Sequence, residues 1–288
     1  MATLREIRHR IASIRSTQQI TKAMKMVAAA KLRKAQESIL ATRPYAQKLS
    51  ETIGHIMARL EDYTNPILQT RPVEKVLVVI VTADRGLCGA FNSNLIRYAE
   101  NLIRSYEELE VHIYPIGKKA YEYFSRRDYQ IYKQKINFFN QLNFQDATEI
   151  VTILTDSYIN LLFDKIEIIY NQFKSAIQQT ITLEQMLPFI PDERMLSESS
   201  QIDFIYEPSK TDILNTILPR HLNIEMWKIL LESNAAEQGA RMTAMESATE
   251  NAEELIDFLT LTYNRVRQSA ITKEISEIVG GAEALKEK

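Results

Sequence analysis

The chain has 288 residues, 45% of them hydrophobic and 25% charged, which is ordinary for a globular protein of one large domain or two small ones. A formal net charge of −2 excludes a chain-wide nucleic-acid binder and a strongly acidic mimic. Only seven glycines and eight prolines occur, as expected of a mainly helical chain, because both disfavour helix interiors.

The first segment, residues 2–59, reads as one long helix. Leu4, Ile7, Ile11 and Ile14 follow a 3-4-3 spacing; after a polar interval, Ala28, Leu32, Ala35 and Ile39 resume the same heptad frame, and Ala46, Leu49, Ile53, Ile56 and Leu60 extend it. So narrow an apolar seam is that of a coiled coil. Pro44 inside it predicts a kink or a brief break. Residues 1–36 hold nine Lys/Arg and one acid, Glu6, a local balance of +8. That charge suggests an acidic partner, a phosphate surface or a membrane face, or a solvated helix face. The start, MATLREIRHR, is charged and lacks an apolar signal core.

Residues 61–74 carry linker chemistry, with Asn65-Pro66 and Arg71-Pro72. From 75 to 207 the rhythm changes. KVLVVIVT (75–82) reads as a strand buried on both faces. A glycine-containing turn, a helix over 92–109, a strand over 111–116 and helices over 118–127 and 146–163 follow. Two further β-rich runs, 165–173 and 179–187, close the segment. Strands alternating with helices imply a parallel or mixed sheet with helical cover, and the last two strands in succession imply an antiparallel edge. The longest apolar stretch, 76–81, falls far short of the roughly 20 residues of a membrane-spanning helix, so the chain is expected to be soluble or membrane-attached only through partners.

Residues 208–288 return to helix, with Pro219 marking a first turn or a kink. Met245, Ala248, Ala252, Leu255, Leu259, Thr262 and Val266 form one heptad seam; Ile271, Ile275, Ile278, Ala282 and Leu285 form another after a phase shift. Seventy helical residues span roughly 100 Å, far more than the width of a compact domain. Two long seams at opposite ends of a chain pair most simply with each other, antiparallel, with the α/β domain inserted between them. The C-terminal helix outruns the N-terminal one, which leaves an apolar tip that calls for an external sleeve.

No constellation stands out as catalytic. Asp84, Arg85, Gly86, Cys88 and Gly89 follow the first strand, where nucleotide sites of α/β folds lie, yet neither GxGxxG nor GxxxxGK[ST] is present. Cys88 is the single cysteine, which fits a reducing compartment. As a nucleophile it lacks a base, because His9, His55, His112 and His221 are scattered over three segments, so a structural thiol is the better reading. No metal-ligand spacing occurs, and no cofactor is expected. The acids Glu246, Glu250, Glu253, Glu254 and Asp257 spread around a helix and read as a charged face. The basic N-terminal helix has no aromatic before Tyr45 and hence no stacking platform for nucleic acid.

The segments LREIRHRIASIRSTQQITKAMKMVAAAKLRKAQ, TADRGLCGAFN and EQGARMTAMESATENAEELIDFLTLTYNRVRQSAITKEISEIVGGAEAL resemble the N-terminal helix, the turn after the first strand and the C-terminal helix of the ATP synthase gamma subunits. The resemblance implies a fold of an antiparallel coiled coil of the terminal helices with an inserted Rossmann-like α/β domain. It divides the chain into the N-terminal helix 1–60, linker 61–74, foot domain 75–207 and C-terminal helix 208–288. It implies a non-catalytic rotating central shaft, with a hexameric ring of alpha and beta subunits, the epsilon subunit and the membrane c ring as partners. It places the chain at the cytoplasmic face of a bacterial plasma membrane, in contact with the membrane only through those partners. By motif, Lys22, Met24, Lys25, Gln238, Arg241, Arg267, Gln268, Thr272 and Glu274 correspond to contacts with beta subunits. Phe204, Tyr206 and Glu207 correspond to the segment facing the c ring and epsilon. The extra redox-switching cysteine pair of chloroplast relatives is missing, so thiol regulation is not expected. Two readings of other classes stand beside this one: a nucleotide-binding α/β protein with helical arms, and a coiled-coil adaptor on an acidic or membrane surface.

Overall fold

A computed structural model of the chain describes residues 3–58, 65–191, 206–207 and 209–286, with side chains to residue 282. Phe204, part of the proposed linker (61–64) and the seam residue Leu60 lie outside the described residues, as does the side chain of Leu285. In chain order the elements are α1 (Leu4–Met57), β1 (Lys75–Val81), α2 (Phe91–Ser105), β2 (Glu110–Ile116), α3 (Lys118–Phe124), β3 (Gln130–Ile131), a 3-10 turn (Phe139–Gln141), α4 (Phe144–Ile159), β4 (Lys165–Phe173), β5 (Gln179–Leu187) and α5 (Lys210–Lys286). They form two compact units: Met1–Val27 with Met242–Lys288, and Ala28–Arg241.

The larger unit is built on a five-stranded sheet of order β3-β2-β1-β4-β5, parallel except for antiparallel β5 at one edge. β1 sits at the centre because its apolar run serves both faces. Leu77, Val79 and Val81 point into one cluster, filled by Ile150, Leu154 and Tyr158 of α4 and by Leu218, Leu222, Met226 and Leu230 of α5. Val76, Val78 and Ile80 point into the other, filled by Leu95 and Ala99 of α2 and by Ala120 and Phe124 of α3. Each such buried aliphatic contributes about 1.5–3 kcal/mol over leaving it in water, so this seven-residue strand organises the unit. α4 begins where Asn143 and Asp146 make a reciprocal capping box. Arg71, in the connection before β1, pairs with Asp164 at 2.9 Å and donates to the Tyr158 carbonyl at 2.9 Å, tying that connection to the end of α4.

In the same unit α1 and α5 run antiparallel. Leu32 and Ala35 cluster with Ala235, while Leu49, Ile53 and Ile56 cluster with Leu214 and Ile224. α5 is buried on several sides here, because it packs on both α1 and the sheet. That accounts for the apolar run around Met226–Leu231. Neither proline interrupts its helix: Pro44 lies inside α1 and Pro219 inside α5, which begins nine residues earlier at Lys210. An interior proline costs roughly 3 kcal/mol. The fully buried Leu214, Leu218 and Leu222 on both sides of Pro219 offset that cost.

In the smaller unit the two helices again run antiparallel. Thr21 and Thr249 place their hydroxyls 2.8 Å apart, and Lys25 Nζ lies 2.5 Å from Glu246 Oε1. The seam on α5 differs from the sequence expectation at one position in each heptad. Met245, Thr249, Ala252 and Ile256 face inward, whereas Leu255 is 50% exposed. The two frames share Met245 and Ala252, so spacing alone does not separate them. The choice falls to the Thr249 hydroxyl, which finds its partner in Thr21. Every described residue from 271 to 282 is exposed.

Candidate partner-binding surfaces

Three places along α1 and α5 carry the expected contact residues. In the smaller unit Lys22 is exposed, while Met24 and Lys25 are half-buried. The polar interval between Ile14 and Ala28 proves to be a continuation of the seam, since Gln18, Thr21 and Lys25 keep the 3-4 spacing, and Thr21 and Lys25 meet the polar Thr249 and Glu246. The spacing was a usable signal that apolarity alone missed. Near its C-terminal end α5 presents Arg267, Gln268, Thr272 and Glu274 on an exposed surface, and the Thr272 hydroxyl donates to the Gln268 carbonyl of its own helix at 2.9 Å. Around them Ile271, Ile275, Ile278 and Val279 are 45–71% exposed. An apolar run this exposed on a helix end marks a surface that another chain covers.

Gln238 and Arg241 sit differently. Both are buried, at 5% and 8% exposure, inside the larger unit. Arg241 pairs with Glu237 one turn back at 2.6 Å. Its guanidinium donates to the Gly86 carbonyl at 3.1 and 3.4 Å, to the Arg85 carbonyl at 3.5 Å and to Gln238 Oε1 at 3.2 Å. Burial pushes the Glu237 carboxyl above its ordinary range, and the neighbouring Arg241 charge only partly offsets this.

The turn that Arg241 grips is fixed from its other side as well. Asp84 accepts three backbone N–H bonds, from Lys118 (3.0 Å), Asn137 (2.8 Å) and Phe139 (3.1 Å). Asn92 accepts from the Ala83 N–H at 3.0 Å and donates to Cys88 Sγ at 3.2 Å. Burial raises the Cys88 thiol pKa, and its hydrogen bonds hold the thiol inside the turn. Leu87 projects outward, 63% exposed, with a left-handed φ of 62°. A turn clamped by a carboxylate, an amide and a guanidinium presents one leucine in a defined position. The sequence marked this segment by its glycines, but Arg241, 155 residues away, is invisible there as its clamp.

Tyr206 is half-buried against the Leu49–Ile53–Leu214 cluster, with Lys210 Nζ 5.2 Å from its ring centroid, and Glu207 is exposed. Among the described residues no group of His, Cys, Asp and Glu is arranged to hold a metal ion, and no helix is long and apolar enough to cross a membrane.

Paired antiparallel helices with a sheet-based α/β domain inserted between them define a coiled-coil stalk protein. The family model for ATP synthase matches residues 3–285. The ATP synthase gamma chain of Chloroherpeton thalassium is 49% identical over 302 residues, covering 100% of this chain and 99% of the relative. That of Trichlorobacter lovleyi is 43% identical, covering 99% and 100%. Among solved structures, the central stalk and c-ring assembly of the Tetrahymena thermophila mitochondrial ATP synthase has a chain similar at a TM-score of 0.61 with 28% identity, covering 80% of this chain and 99% of that one. The rotor of the Euglena gracilis mitochondrial enzyme has one at 0.66 with 25% identity, covering 93% and 98%. The chain belongs to the ATP synthase gamma chain family.

Proposed function

We propose that this chain is the rotating central shaft of an F-type ATP synthase, coupling ion flow through a membrane c ring to the cycling of catalytic beta subunits. The observation that carries this reading is the α5 end, where residues 271–282 are exposed and include Ile271, Ile275, Ile278 and Val279. Such an end is costly in water and suits the bore of a ring of alpha and beta subunits. A shaft acts without chemistry of its own: each orientation stabilises a different conformation in each of three otherwise identical beta subunits, so rotation steps every site through its states.

In this reading Lys22, Met24 and Lys25 meet an acidic lever of beta, drawn by the +8 charge of residues 1–36. Arg267, Gln268, Thr272 and Glu274 meet beta higher on the shaft. Gln238 and Arg241 serve beta contacts indirectly, by fixing the turn that displays Leu87. Tyr206 and Glu207, with Phe204, face the c ring and epsilon. The chain works at the cytoplasmic face of a bacterial plasma membrane, held there by its partners, and carries no catalytic site.

Co-expression with the matching alpha and beta subunits is expected to yield an ATPase of three alpha, three beta and one copy of this chain. A bead on the α/β domain of the surface-fixed complex should then turn stepwise during ATP hydrolysis. An active complex whose bead does not turn rules out the shaft role.

A further inference from the structure

In the larger unit α1, β5 and α5 border a cavity of about 880 Å³. Small-molecule sites occupy roughly 300–1,000 Å³, so the space is of the right size for one. Its wall carries four carboxylates, Glu51, Glu184, Glu225 and Glu232, against two cations, Arg43 and Lys228. Three of the carboxylates have partners. Lys228 Nζ lies 2.5 Å from Glu225 Oε1, Lys48 Nζ lies 2.5 Å from Glu51 Oε2, and the Tyr170 hydroxyl donates to Glu184 Oε2 at 3.1 Å. Two buried atoms of the wall have no hydrogen-bond partner among the described residues: Glu232 Oε2 and His221 Nδ1, in residues 9% and 4% exposed. Buried polar atoms are nearly always satisfied, so two orphans on one cavity point to a ligand.

Their spacing sets its length. His221, Glu225, Lys228 and Glu232 recur at intervals of four, three and four residues, so they lie along one stripe of α5. Glu232 follows His221 by eleven residues. At the helical rise that is about 16 Å, beyond the reach of any compact ion. Ile39 and Ala46 of α1, Met186 of β5, and Leu222 and Ile229 of α5 supply apolar wall. We propose that this cavity binds a linear aliphatic polyamine, with one terminal ammonium on Glu232 Oε2, the other on His221 Nδ1, and the methylene chain along the apolar wall.

The chemistry of the wall selects this class. Ammonium groups only donate, and both orphan atoms can accept. Burial holds the His221 pKa down, so the neutral ring offers a lone pair in place of a competing charge. Burial pushes the Glu232 carboxyl up and that of Glu184 up to about 7, as befits carboxyls short of positive charge; an ammonium supplies it. An anion would meet the excess of carboxylates. A metal ion does not fit, because no group of His, Cys, Asp and Glu among the described residues is arranged to hold one. A ligand that touches α1, β5 and α5 together also stabilises the larger unit by mass action.

The test is calorimetric titration of the full-length chain at neutral pH with three probes. Spermine extends to a similar span, putrescine is a diamine too short to reach both ends, and hexaamminecobalt(III) is a compact polycation. Spermine is expected to bind one to one, at least about tenfold tighter than either comparator. Glu232→Gln should weaken spermine at least about tenfold, whereas Glu254→Gln, on the exposed surface of α5, should leave it unchanged. No spermine binding, or equal affinity for spermine and either comparator, overturns the proposal, since the cavity then holds water alone or the chain attracts cations diffusely. A Glu232→Gln variant that binds spermine as Glu254→Gln does overturns it too. Should Glu232→Gln not fold, methyl NMR of the wild type decides, with the Met186 signal assigned by Met186→Leu. Spermine is expected to shift Met186, in the cavity wall, more than the exposed Met26. A Met186 signal that moves no more than that of Met26 overturns the proposal. The isolated chain supplies every readout, so the outcome is independent of the shaft role.

Discussion

Replacing Arg241 by methionine isolates the energetics of the clamp on the turn after β1. Methionine keeps most of the side-chain volume and removes the guanidinium. Three losses follow: the 2.6 Å pair with Glu237, the donors to the Arg85 and Gly86 carbonyls, and the bond to Gln238 Oε1. The carbonyl contacts, at 3.1–3.5 Å, are long and contribute modestly. The larger effect is Glu237, only 5% exposed in its side chain and left without its cation. Breaking a buried pair from one side costs about 3–5 kcal/mol, because the remaining charge has no compensation. The loss has a sign in pH. Glu237 already sits above its ordinary value, and without Arg241 it rises further, so the variant should be weaker against the wild type at about pH 8 than at about pH 5, where the carboxyl takes a proton. The double variant Arg241→Met with Glu237→Leu removes both charges and should recover most of the loss. Urea unfolding of the three proteins at the two pH values is the assay. A single variant that loses under about 1 kcal/mol, or a double variant as weak as the single one at both pH values, refutes the argument that an orphaned carboxylate dominates.

Gly117 has φ +93°, and a Cβ placed there would lie 2.1 Å from the Thr82 carbonyl oxygen. Gly117→Ala should therefore cost more than about 3 kcal/mol in urea unfolding, since strain and a backbone clash add and the clashing atom cannot move aside. The seam of the smaller unit gives a sharper contrast between neighbours: Ile256→Ala should cost about 1–3 kcal/mol and Leu255→Ala less than about 0.5 kcal/mol by the same measurement. The reverse order would restore the seam read from spacing alone.

Much of this architecture was legible in the chain. The run 75–81 announced a strand covered on both faces because nothing else explains unbroken β-branched apolarity so short. The seam Leu4–Ile14 and its resumption at Ala28 announced a long partnered helix, and consecutive β-runs at 165–187 announced the antiparallel edge. A proline need not end a helix: α1 continues through Pro44, where a kink or a brief break was expected, and α5 continues through Pro219, flanked by the buried Leu214, Leu218 and Leu222. Local stiffness is a cost of a few kcal/mol, and burial of several leucines outweighs it.

What the sequence by itself determined is periodicity: which stretches are helix or strand, that two long helices must find each other, and that the far end of α5 is apolar with nothing in the chain long enough to match it. Only the tertiary structure decided between heptad frames that share every second core position, since a hydroxyl at 249 gains its meaning from a hydroxyl at 21. It alone turned Arg241 inward to the Gly86 carbonyl. Periodicity is written in near neighbours, whereas a buried polar group is defined by whatever distant atom satisfies it, and that atom is known only once the chain has closed on itself.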